Sequence, residues 1–184
     1  MMDKVIYIML MLAFPFLLNG QYFLELHSES NNSFREWEFL MEKDSTEVEG
    51  DLELTWGLNN DFTQWQYRVD ELYGEISQKF NNNPGIWELR SEGKIITIRQ
   101  VWPGDASEWK ISYDERSFVI RAVYSHRFDE WSVVGNNYGE LAMYTEIQGD
   151  IRDWIVSDYM IDSITFEERM AAIFIALYSS TPKI

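Results

Sequence analysis

Trp65, Trp87, Trp109 and Trp131 stand 22 residues apart, Trp154 follows 23 residues later and Trp37 precedes Trp65 by 28. Six of the eight tryptophans thus share one register. A period of that length marks a supersecondary unit used repeatedly, each copy needing its neighbours to bury one face. Eleven residues before each Trp the chain has Leu26, Leu54, Ile76, Ile98, Ile120 and Met143. Two residues after it come Phe39, Tyr67, Leu89, Ile111, Val133 and Val156. Seven before it stand Leu58, Phe80, Trp102, Tyr124 and Ile147, with Ser30 the polar exception. Turn formers fill the space between, among them Asn81-Asn82-Asn83-Pro84, Pro103-Gly104-Asp105 and Gln148-Gly149-Asp150. Such residues accept left-handed backbone or preset φ.

Each unit therefore reads as a strand, a turn, a Trp-bearing strand and a second turn. Within it apolar residues recur at every second position: Ile96, Ile98, Gln100 and Trp102 share one face, as do Phe118, Ile120, Ala122 and Tyr124. Closing Pro103 to Ala106 as a four-residue turn sets Trp109 opposite Gln100 and Ile111 opposite Ile98. The registered tryptophans then belong to a core rather than to an exposed row of aromatic platforms. Strands are expected over 21–28, 34–42, 50–57, 63–69, 73–80, 86–90, 94–102, 107–113, 116–124, 129–134, 139–147 and 152–157, twelve in all.

After them the period changes. Thr165-Phe166-Glu167-Glu168 is a capping box, and Met170 to Tyr178 is apolar on every face, so a helix at about 165–178 must be enclosed. It would be about 21 Å long at ~1.5 Å per residue and needs a lumen wider than about 10 Å. A barrel of eleven or twelve strands supplies that, whereas eight strands leave room only for their own side chains. The fold class is mainly β: about twelve antiparallel strands from 22-residue hairpin repeats, closed as a barrel around a C-terminal apolar helix, in one domain over 21–184. An open hairpin array, or a small propeller with two units per blade, would use the same repeat but leaves the helix unexplained.

Twelve strands from consecutive hairpins followed by a threading helix resembles the plan of the tubby-like and LURP-one-related proteins. The resemblance covers about residues 21–180 and is architectural. It rests on strands such as Glu130-Trp131-Ser132-Val133 and Asp153-Trp154-Ile155-Val156, and on the run Glu167-Glu168-Arg169-Met170-Ala171-Ala172-Ile173-Phe174-Ile175-Ala176-Leu177. It implies a non-catalytic module; tubby-like domains bind phosphoinositides, and LURP-one-related proteins have no agreed biochemical activity.

Val5 to Leu18 is an unbroken apolar run, too short to span a bilayer comfortably, and Asn19-Gly20 follows it. Residues 1–20 are therefore expected to be a signal peptide, with Gln21 the mature N-terminus and the protein exported, periplasmic or secreted. An uncleaved anchor is the alternative. The chain carries 31 acidic and 15 basic residues, a formal charge of −16, which repels polyanions and argues against nucleic acid as a partner. Cys is absent, removing disulfides and thiolate chemistry. No nucleophile elbow, phosphate loop, dinucleotide fingerprint or zinc-protease helix is present, and His27 and His126 are the only histidines. No cofactor or metal site is expected. Glu42, Asp44, Glu47, Glu49, Asp51 and Glu53 form a solvated acidic hairpin loop, for an EF-hand alignment on Gly50 puts Trp56 where a bidentate Glu is required.

Charge is uneven along the chain. Residues 25–75 hold fourteen acidic and three basic groups, whereas 90–127 hold five acidic and seven basic. Arg99 and Arg121 share one repeat position, ten before a Trp, on the outward parity. They are the candidate ligand-binding residues, flanking a shallow anion site; the alternative is cross-strand pairing with Glu108, Glu130 or Asp114. The expected function is an exported, non-catalytic binding or structural module of the envelope or secreted fraction. Its partner would be a protein or a small anionic or lipidic ligand. A tubby-like binder of an anionic or lipidic ligand is the second reading, and an enzyme using surface carboxylates the third.

Overall fold

The computed structural model describes residues 21–30, 33–56, 61–135 and 137–183; the expected signal peptide lies outside the described residues. Twelve strands follow one another: β1 (Gln21–Ser30), β2 (Ser33–Lys43), β3 (Thr46–Leu54), β4 (Gln64–Val69), β5 (Leu72–Gln78), β6 (Ile86–Ser91), β7 (Lys94–Gln100), β8 (Glu108–Tyr113), β9 (Arg116–Tyr124), β10 (Arg127–Val134), β11 (Gly139–Thr145) and β12 (Asp153–Met160). Helix α1 (Phe166–Ser180) comes last. Each strand pairs antiparallel with its chain neighbours, and β1 pairs with β12 to close the barrel. The inward face is apolar and the outward face carries charges such as Glu53, Arg68, Arg99 and Lys110, the reverse of a membrane-spanning barrel.

All six registered tryptophans lie on the even-numbered strands and are 0 to 4% exposed. The expected register holds, with Gln100 opposite Trp109 and Ile98 opposite Ile111. A buried indole N–H must find an acceptor, and here the answer recurs: Trp65, Trp87, Trp109, Trp131 and Trp154 each donate to the carbonyl three residues earlier, at 2.9 to 3.3 Å. The indole so ties down the turn that precedes its strand, or for Trp131 the first residues of β10 itself, which is why Trp, rather than Phe or Leu, occupies the position.

Two expectations need correcting. Trp102 has inward parity but is 63% exposed, because β7 ends at Gln100 and the ring projects past the strand end. The expected strand over 50–57 is in fact Thr46–Leu54, because Asp44 and Ser45, both at positive φ, close a two-residue turn. Glu47 and Glu49 therefore stand in a strand and not in a loop, and the extra residues lengthen the hairpin itself.

Two strand glycines accommodate aromatic rings. Phe39 lies across Gly50 and Tyr67 across Gly74, each its cross-strand partner. A Cβ at Gly74 would sit 2.3 Å from the Tyr67 ring, which also meets Phe166 of α1 edge-on at 5.7 Å. Gly74→Ala is therefore expected to cost about 1–3 kcal/mol through overpacking, lowering the melting temperature by roughly 2–12 °C in a domain of this size. Wild-type-like melting by circular dichroism would contradict the ring placement.

The helix runs inside the barrel. Every residue from Phe166 to Leu177 is buried. Its rings meet walls on different sides: Phe166 packs on Phe23 of β1, and Phe174 on Trp65 of β4 and Trp87 of β6. At the far end Ser180 Oγ accepts the Trp131 indole at 2.9 Å. Thr165 caps the first turn, with Glu168 returning to the Thr165 N–H.

Candidate functional site

Arg99 and Arg121 lie exposed on the outer wall, on β7 and β9, with β8 between them. Arg99 stands opposite Lys110, and Arg121 opposite Glu108. Neither arginine forms an ion pair within 4 Å among the described residues. Register thus gathers three cations and one carboxylate on a convex surface. The acidic segment forms a second outward patch, where Glu36 faces Glu53, Glu38 faces Asp51 and Glu42 faces Glu47. His27, 2.6 Å from Glu38, Arg68, 3.5 Å from Asp51, and the Gln66 amide on Glu53 relieve it in part. Burial and the charges of Glu38 and Glu36 push the Glu29 carboxyl above its usual range.

The meander gives the barrel two chemically different ends. Connections from odd to even strands gather at one end, and each described one displays an apolar side chain: Trp56, Phe80, Trp102, Tyr124 and Ile147, 39 to 67% exposed. Leu58, at the equivalent repeat position, lies outside the described residues. Cations accompany two of these rings, with Arg127 over Tyr124 at 4.2 Å and Lys79 over Phe80 at 5.8 Å. At the opposite end four of the connections are two residues long and acidic, the β10–β11 connection being the exception. Asp44, Asp70, Glu92 and Asp114 each take positive φ at a tight turn, and Asp162 follows β12. The N-terminus of α1 opens there, so its dipole is matched by surrounding carboxylates.

Three consecutive charged residues at that helix end are buried, each bound to a different strand. Glu167 Oε1 accepts from Lys94 of β7 at 2.7 Å. Glu168 Oε2 accepts from Arg116 of β9 at 3.0 Å. Arg169 Nε donates to Asp158 of β12 at 3.2 Å, and its other nitrogens reach the carbonyls of Met160, Ile161 and Ile164. Asp158 also accepts the Phe23 N–H at 3.3 Å. It thereby extends the closing seam past Glu25, where the β1 to β12 ladder stops. Burial raises the Asp158 carboxyl above its usual range, and the Arg169 guanidinium pulls it back in part. The reverse holds for Glu88 on β6, where hydrogen bonds from Lys79 and Arg90 outweigh burial and hold the carboxyl low.

A cavity of about 480 Å³ opens at this acidic end beside the helix start. It is lined by Glu167 and Lys94, by Asp44, Glu92 and Asp162 at its rim, and by an apolar wall that includes Phe166. Glu167 Oε2 is buried with no hydrogen-bond partner among the described residues. Sequence reasoning passed over this end, although the signal was present: Asp70, Glu92 and Asp114 are themselves 22 residues apart. No family model, curated protein or solved structure matches the chain.

Proposed function

We propose that this chain is an exported, non-catalytic binding module that docks onto a zwitterionic lipid surface through the apolar end of its barrel. One observation carries the reading: five successive hairpin connections place Trp, Phe, Trp, Tyr and Ile in water at the same end, at the repeat position or beside it. Isolated exposed apolar residues need no explanation, but a set gathered at one end of a largely charged surface does. Trp and Tyr are the side chains best suited to a bilayer interface, with an apolar body and a polar edge. A net charge of −16 disfavours a strongly anionic membrane. The buried carboxylates Asp158 and Glu168 are each held by a cation from another element, and Glu88 and Asp129 by cations close in the chain, which favours scaffolding over catalysis for them. The tubby-like resemblance is compatible with lipid contact, and this reading places the contact at the hairpin tips instead of at Arg99 and Arg121.

The test is flotation of the chain from Gln21 onward with phosphatidylcholine vesicles. Withdrawing each half-exposed ring from water is worth on the order of 1 kcal/mol. Phe80→Ser with Trp102→Ser should therefore weaken partitioning about 10–100-fold while the melting temperature stays unchanged. If the wild type stays in the aqueous fraction at about 0.15 M salt, or if the double variant floats equally well, the proposal is wrong.

A further inference from the structure

We infer that the cavity at the acidic end is a binding site for an organic ammonium ion, in its simplest form an alkyl diamine. Glu167 lines the cavity at 2% exposure. Lys94 occupies its Oε1, and Oε2 is buried with no donor among the described residues. Folded proteins seldom leave a buried carboxylate oxygen unanswered. Nearby cations are already engaged, Lys94 on Glu167 itself and Arg169 on Asp158 and three backbone carbonyls. What the site has left over is acceptor capacity: Glu167 within, and Asp44, Glu92 and Asp162 around the rim, the last of which accepts the Tyr22 hydroxyl at Oδ1. The complement is a ligand with several N–H donors and positive charge, and an ammonium has three donors.

The apolar part of the wall narrows the class. Leu72, Ile164 and Phe166 give a methylene chain a surface to lie along between an ammonium on Glu167 and a second near the rim. A bare metal ion is poorly served, because no three His, Cys, Asp or Glu side chains among the described residues converge to hold one. The acidic rim would concentrate organic cations at the opening. None of this depends on the lipid-docking reading, since the two surfaces lie at opposite ends of the barrel.

The experiment is calorimetric titration of the chain from Gln21 onward with pentane-1,5-diamine at about 0.15 M salt, with pentane-1,5-diol as the uncharged control. Saturable binding of one diamine per chain is expected, with no response to the diol. Glu167→Gln should weaken it at least tenfold. Because Glu167 also holds Lys94, the exposed rim changes Glu92→Gln and Asp162→Asn provide the same readout without touching a buried pair, and each should weaken binding severalfold. No heat from the diamine at millimolar concentration overturns the inference. So does equal binding by all variants, or uptake of many diamines per chain without saturation, the mark of diffuse counterion attraction.

Discussion

Arg169→Met should lower stability by about 3–5 kcal/mol, the usual consequence of removing one partner from a buried ion pair. Arg169 and Asp158 are almost completely inaccessible, and the guanidinium also satisfies the carbonyls of Met160, Ile161 and Ile164. The substitution deprives the Asp158 carboxylate of its cation and the carbonyls of Met160 and Ile164 of their guanidinium donor, while Ile161 O keeps the Ile164 N–H. Against a total of about 5–15 kcal/mol, a drop in melting temperature of roughly 6–20 °C is expected. The loss should also depend on pH. Asp158 has a raised pKa, so the folded state retains a proton that the unfolded chain has released, and stability falls as pH climbs out of the ordinary carboxylate range. Without Arg169 the pKa rises further, so the deficit should be larger at pH 8 than at pH 5. Adding Asp158→Asn should recover part of it. Equal melting of Arg169→Met and wild type at pH 8 would show that the pair does not hold the seam.

Ile173→Asp or Ile175→Asp should abolish the native state. Both side chains are fully buried in α1. Each change forfeits about 1.5–3 kcal/mol of apolar burial and adds several more for a carboxylate with no donor in reach. That total approaches the whole stability of a domain. The expected product is insoluble or molten protein, retaining far-ultraviolet strand signal but losing the near-ultraviolet signature of six packed tryptophans. A sharp wild-type transition in either variant would mean that the helix lies outside the barrel.

The parts of this fold that were legible in the sequence are those governed by local rules. The Trp period, the two-residue alternation, the turn at Pro103 and the capping box at Thr165 each depend on neighbours close in the chain, and each appears as expected. Alternation could not say where a strand stops. Phe80, Trp102 and Ile147 keep an inward parity that has no wall left to face, because each lies beyond the last residue of its strand. The β3 boundary was obscured because acidic residues pass for loop when their outward orientation is unknown, and Glu47 and Glu49 sit on the solvent side of a long hairpin. Glu167, Glu168 and Arg169 could be read as a helix start, but their burial could not. It depends on Lys94, Arg116 and Asp158, brought in from three strands by closure of the barrel. Arg99 and Arg121 were rightly placed outward. Their neighbours Lys110 and Glu108 come from the strand pairing.

The seam between β1 and β12 bears on how the chain reaches this structure. Hairpins form from contacts close in sequence and can zip quickly one after another, but the ring is joined only when Leu26 meets Trp154. The segment that fills the lumen comes later still, since α1 follows all twelve strands. A nascent chain that stops short of the helix therefore holds a curled sheet with one apolar face unfilled, which favours binding by a chaperone or aggregation. Commitment to the native state waits for the helix to emerge. Such a chain stays pliable until the helix is available to fill the lumen.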